Sequence, residues 1–110
     1  MADKTSLGEF EHHVLLAALR LAEDAYTTSI LTEMEFRTGR GVSAAAVYIA
    51  LRRMENAGLV RSHLRTATEL NERRERRYVR VTPAGVALVR EARRQLVRLW
   101  SGLSALSAQA

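Results

Sequence analysis

The spacing of the apolar residues changes period twice along this chain, and few arrangements accommodate both changes in 110 residues. Up to Met54 the apolar residues recur every three or four positions, as on a helix. After Gly58 they alternate: in "LVRSHLR", Val60, Ser62 and Leu64 alternate with Arg61, His63 and Arg65, and in "RRYVRVT", Val79 and Val81 alternate with Tyr78 and Arg80. A period of two is the mark of a strand. At Thr82-Pro83 the helical spacing returns. Two strands alone are marginally stable, so this pair must lie on helices. The fold class that follows is mainly α with a small β-hairpin.

Each helix carries its own punctuation. Ser6-Leu7-Gly8-Glu9 has the form of a capping box, followed by Phe10, Val14, Leu15, Ala18, Leu19 and Ala22 at helical spacing. A second helix is expected from Thr27 or Thr28, burying Ile30, Leu31 and Met34 and ending before Gly39, which suits a left-handed cap. Ser43 can cap a third helix that stops at Gly58. Its inward stripe is Val47, Ala50, Leu51 and Met54, which leaves Ser43, Ala45, Tyr48, Ile49, Arg52 and Arg53 on the outside. Residues 66–74 are expected to connect the two strands. The last helix opens with Thr82 as cap and Pro83 at its first position, where no amide partner is lost. Within it Val89, Ala92, Leu96, Leu99, Leu103 and Leu106 are spaced three and four apart, a heptad seam. Helical over residues 83–106, it would run about 36 Å, longer than so small a body needs. The seam therefore suits pairing with a second copy, with Trp100 beside it as an interface anchor. Phe10, Val14 and Leu15 of the first helix exceed what one small core requires and are expected to contribute to the same interface.

Charge is distributed unevenly. Residues 1–38 carry three basic and seven acidic side chains, residues 39–82 ten and four, and residues 83–110 four and one. The middle third is thus +6, and all its cations are arginine. Such a footprint fits a nucleic-acid partner. Other functions find no support. There is no cysteine, no glycine-rich phosphate loop and no nucleophile elbow. His12 and His13 are adjacent and point about 100° apart on a helix, while His63 lies on a strand, so no metal site is expected. The longest apolar run, residues 14–19, is closed by Arg20, and the first ten residues contain no apolar signal region. A cytoplasmic protein without cofactor, membrane contact or catalytic activity is expected.

Three blocks, "LGEFEHHVLLAALRL", "SAAAVYIALRRMENAGLVRS" and "RRERRYVRVTPAGVAL", in this order and spacing resemble the PadR family of bacterial transcriptional regulators, in its short form with a single C-terminal helix. The resemblance covers roughly residues 7–89. It implies a winged helix-turn-helix, residues 1–82, in which the third helix is the recognition element and the hairpin is the wing, joined in one compact unit to a dimerisation helix over residues 83–110. It further implies a homodimeric repressor that reads an inverted repeat in double-stranded DNA. By position, Ser43, Ala45, Tyr48 and Arg52 would lie nearest the DNA. Arg74, Arg76 and Arg80 would follow the phosphates, with Arg73 reaching only solvent. The dimer interface would comprise Phe10, Val14, Val89, Ala92, Leu96, Leu99, Trp100 and Leu103. Some small members bind flat hydrophobic compounds in a pore at the dimer interface, which would set Trp100 against such an effector.

Two departures stand out. The wing tip, "TELNERRER", has no glycine, so Asn71 is the only residue there that readily takes positive φ. Ile49 stands where a small polar residue is expected. Both would also suit a winged-helix module that binds protein instead of DNA, and the charge alone would suit a nucleic-acid binder without sequence preference.

Overall fold

The computed structural model describes residues 7–103 and residue 106. Helices α1 (Glu9–Leu21), α2 (Thr27–Thr38) and α3 (Ala44–Asn56) precede strands β1 (Val60–Glu69) and β2 (Glu72–Val81), and α4 (Pro83–Trp100) closes the order. The molecule is mostly helical with one antiparallel hairpin, as the change of period required.

Gly8 occupies the N-cap of α1 without a side-chain bond, and Ser6 of the expected capping box lies outside the described residues. A 3-10 turn over Ala22–Asp24 then leads into two extended residues, Ala25 and Tyr26. Here the Val79 amide donates to the Ala25 carbonyl at 2.9 Å, which adds a single rung to the outer edge of β2. The Ser29 hydroxyl fixes the start of α2 by accepting from the Tyr26 amide and donating to the Asp24 carbonyl. Gly39 ends α2 with φ 71°, as a left-handed cap demands. The Glu35 carboxylate accepts from the Val42 amide and the Ser43 hydroxyl caps α3. The short connection between α2 and α3 is thereby held at both ends.

The core forms where α1, α2 and α3 meet the base of the hairpin. Val14, Leu15 and Ala18 of α1, Ile30 and Met34 of α2, and Val47, Leu51 and Met54 of α3 close on Val60 and Val79 of the strands. Val89 of α4 joins the same cluster. Val14 and Leu15 have no exposed surface, and Val89 is also buried. These three, expected at an interface between copies, are therefore consumed within one protomer. The apolar residues of α1 that do face outward are Phe10, Leu16 and Leu19.

Two further expectations change. The hairpin connection is not residues 66–74: each strand runs ten residues, paired from Val60↔Val81 to Glu69↔Glu72, and only Leu70 and Asn71 turn. Both have positive φ, 51° and 67°, the requirement of a type I′ hairpin turn. The helix expected over residues 83–106 stops at Trp100, where Ser101 takes an extended conformation and Gly102 has φ 87°.

The start of α4 is pressed against the hairpin base. The Thr82 amide donates to Leu59, its hydroxyl donates to the Gly58 carbonyl at 2.7 Å, and the same hydroxyl accepts from the Gly85 amide. A Cβ at Gly85 would lie 2.3 Å from the Leu59 carbonyl oxygen, so only glycine permits this approach. The Thr82-Pro83-x-Gly85 pattern has its physical reason in this contact.

Candidate nucleic-acid interface

Helix α3 buries Val47, Ala50, Leu51 and Met54 and turns Ser43, Ala45, Tyr48, Ile49 and Arg52 to the outside. Tyr48 is 49% exposed. Its hydroxyl accepts from Arg52 at 3.1 Å, and the guanidinium approaches its ring to 5.9 Å. That acceptor role leaves the hydroxyl proton available to another oxygen. Arg53 points elsewhere: it is ion-paired with Glu11 of α1 at 3.2 Å.

Opposite residues of the antiparallel ladder share a face, which divides the hairpin side chains into two sets. The inner set begins with Val60, Val79 and Val81 and continues with Ser62 and Arg77. Arg77 donates to the Ser62 hydroxyl at 3.0 Å, and Ser62 donates to Glu55 of α3 at 2.8 Å. A polar chain thus ties the hairpin to α3. The outer set is Arg61, His63, Arg65, Ala67 and Glu69 of β1, facing Arg80, Tyr78, Arg76, Arg74 and Glu72 of β2.

The centre of that outer face is an aromatic–guanidinium cluster. Tyr78 packs edge-on against Tyr26 with ring centroids 5.5 Å apart, and His63 stacks on it at 6.1 Å. Arg65 lies 3.8 Å over the Tyr78 ring and donates to the Glu23 carbonyl, while Arg76 lies 4.1 Å over Tyr26. Arg76 is also ion-paired with Glu69 and donates weakly to the Tyr78 hydroxyl. Hydrogen bonds from Arg65 and then Arg76 hold the Tyr78 hydroxyl below the ordinary tyrosine value. The bond to Glu69, aided by that to Tyr78, raises the Arg76 guanidinium further.

Arg76, expected along the phosphates, is engaged within the molecule. Its side chain is only 21% exposed, and its guanidinium is committed to Tyr26, Tyr78 and Glu69, so it braces the wing. Arg74 is exposed and, among the described residues, is ion-paired with the exposed Glu72 alone, a contact of little energetic weight. Arg80 is exposed as well, and Arg73 is exposed opposite Thr68. Sequence reasoning missed Tyr26 and Arg65. Tyr26 sits in a short extended segment without periodicity; the signal that could have drawn it in is the alternation placing Arg65, His63, Tyr78 and Arg76 on one face.

On α4, Leu96, Leu99 and Trp100 are exposed, with Leu99 at 72% and Trp100 at 51%, and Leu103 is exposed just beyond the helix. Ala92 is half-buried. A groove of about 440 Å³ lies between α1 and α2 over Leu16, Ala17, Leu19 and Met34. At its rim Glu33 is bridged by Arg37 at 2.8 Å and Arg20 at 3.3 Å, and the Arg37 hydrogen bond chiefly holds this carboxyl below the usual range. Among the described residues no cluster of His, Asp and Glu could hold a metal ion, and no helix is long and apolar enough to cross a membrane.

Three helices followed by a two-stranded wing, with the third helix presenting an outward face beside that wing, define a winged helix-turn-helix protein of the DNA-binding class. Residues 15–91 match the transcriptional regulator PadR-like family, and the chain belongs to that family. Among solved structures it is similar to a PadR family transcriptional regulator from Eggerthella lenta DSM 2243, with 28% identity, 84% of this chain and 79% of the other covered, and a TM-score of 0.63. A PadR family transcription regulator from Clostridium difficile R20291 (18% identity, 89% and 95% covered, TM-score 0.60) shares the fold, as does a protein from Thermoplasma acidophilum (18%, 92% and 97%, 0.63). Comparison with curated proteins gives no match.

Proposed function

We propose that this protein is a homodimeric, sequence-specific DNA-binding repressor acting in the cytoplasm. The observation that carries the reading is the outward face of α3, where Ser43, Ala45, Tyr48 and Arg52 stand exposed beside a wing rich in arginine. The small residues of the first turn let the helix approach the major groove closely, and Tyr48 and Arg52 supply donors for phosphate or base edges. Support for the dimer comes from the exposed seam of Leu96, Leu99, Trp100 and Leu103 together with Phe10. Two-fold symmetry would then set the two α3 helices about 34 Å apart, or a multiple of that, on an inverted repeat. A flat hydrophobic effector held against Trp100 at the dimer interface would supply the release signal.

Gel shift of the purified protein on its own upstream DNA at two salt concentrations tests the reading. A discrete complex that competitor DNA of other sequence does not remove supports it; no complex at low salt, or equal affinity for every sequence, sinks it. The Leu96→Ala, Leu99→Ala double variant is expected to sediment as a monomer, and an unaltered dimer would place the interface elsewhere. A second reading, a winged-helix module for a protein partner, draws on the wing tip, where Glu69, Glu72 and the exposed Leu70 stand in place of cations. Absence of any DNA complex would favour it.

A further inference from the structure

The outer face of the wing contains three directly opposed pairs of like charge: Arg61↔Arg80, Arg65↔Arg76 and Glu69↔Glu72. Like charges directly opposite on neighbouring strands are destabilising, because their Cβ atoms stand only about 5 Å apart. Two of the pairs are relieved within the molecule. Arg65 and Arg76 lie on the Tyr78 and Tyr26 rings and donate to Glu23 and Glu69, and the two glutamates are ion-paired with Arg76 and Arg74. The third is not. Both Arg61 and Arg80 are exposed, and among the described residues neither side chain has an ion-pair or hydrogen-bond partner.

These two arginines also share a built concavity. A cleft of about 360 Å³ opens at the wing base, walled by Arg61 and Arg80 over Gly58, Val81 and Pro83. Its backbone is fixed at three points: the Thr82 hydroxyl holds Gly58, the Thr82 amide holds Leu59, and the ladder closes at Val60↔Val81. Two guanidiniums carried by directly opposed ladder residues and lining one cleft can both donate to the oxygens of a phosphate, and a shared anion removes the repulsion between them.

We propose that Arg61 and Arg80 jointly hold one phosphate oxyanion at the wing base, which makes this pair, and not the arginines nearer the tip, the principal phosphate clip of the wing. Arg61 gains a role beside Arg80, and Arg76 loses one. Two sources offer that chemistry: a backbone phosphate of DNA, for which the inference rests on the DNA-binding reading above, or a free phosphate-bearing small molecule.

The test uses full-length protein and the Arg61→Gln, Arg80→Gln double variant, both checked for folding by circular dichroism. For a DNA phosphate, the slope of log K against log[salt] should fall by about 0.9 in the variant, one phosphate contact, while Arg76→Gln leaves the slope unchanged. For a free phosphate, the Arg61 and Arg80 side-chain NMR resonances of the wild type should shift saturably with inorganic phosphate, an effect absent with chloride at equal ionic strength and absent from the variant. Either response supports the clip and names its source. An unaltered slope together with no saturable shift overturns it. If the wild type binds no DNA, the DNA-binding reading fails by itself, and the phosphate titration still decides the clip.

Discussion

The two halves of the wing are built by opposite rules. At the base, residues 60–65 and 76–81, the ribbon is anchored on both faces: Val60 and Val79 enter the core, and on the outer face the buried Tyr78 lies under the Arg65 guanidinium with its hydroxyl accepting from Arg76. Hydrogen bonds from Val79 to Ala25, from Ser62 to Glu55 and from Thr82 to Gly58 tie this half to the segment before α2, to α3 and to the start of α4 in turn. At the tip, residues 66–75, every side chain but Ala67 is exposed, and the turn asks a leucine to take φ 51° while 96% exposed. The base is ordered by what surrounds it; the tip has only its own ladder, and an isolated hairpin is marginal in water. Preorganisation of the wing before DNA arrives is thus a property of its base.

Four variants set this contrast against measurement. Tyr78→Ala removes the buried ring at the centre of the outer-face cluster, and is expected to cost about 3–5 kcal/mol in chemical denaturation, the usual cost of emptying a buried aromatic site. A loss under 1 kcal/mol would mean that the cluster is surface decoration. Gly85→Ala drives a methyl into the Leu59 carbonyl and should cost about 1–3 kcal/mol, read as a lower melting temperature. Arg76→Gln unstacks Tyr26 and frees Glu69 at an expected cost of about 1 kcal/mol. It should weaken DNA binding with no change in salt slope, since the residue positions the wing without touching phosphate; a shallower slope would return it to the contact set. The smallest effect belongs to the tip. Leu70→Asn with Asn71→Gly installs the turn that type I′ geometry favours and should slow amide exchange across residues 66–75 by several-fold, leaving the base unaltered. Equal slowing in both halves would show that the wing is one cooperative unit.

How much of this the sequence made visible follows from where burial creates contrast. Helix α3, its inward stripe and its outward face are legible because Val47, Ala50, Leu51 and Met54 alternate with polar residues at helical spacing. The strands are legible only as far as they are covered. Residues 66–74 pair as regularly as the base does, but with both faces in solvent nothing selects apolar residues there, and the pattern reads as a loop. In α4 the error runs the other way. The three-four spacing continues to Leu103 and Leu106, whereas the helix ends at Trp100, and Gly102 was the stop signal available in the sequence. Val14 and Val89 were misplaced because periodicity identifies a buried face without saying whether the same chain or another one buries it. The arginines were the least legible of all: "RRERR" gives their number, and only the ladder register separates the one lying on tyrosine from those facing solvent.

The contact at Gly85 has one more consequence. Most joints between a helix and a sheet are cushioned by side chains, whose rotamers absorb small displacements. Here the backbone of α4 rests on the backbone of Leu59, two residues after the Ala57 cap of α3, with nothing compressible between them. The start of α4 is thereby set directly against the residue that joins the end of α3 to the first strand of the hairpin, so one backbone contact fixes the spacing of all three.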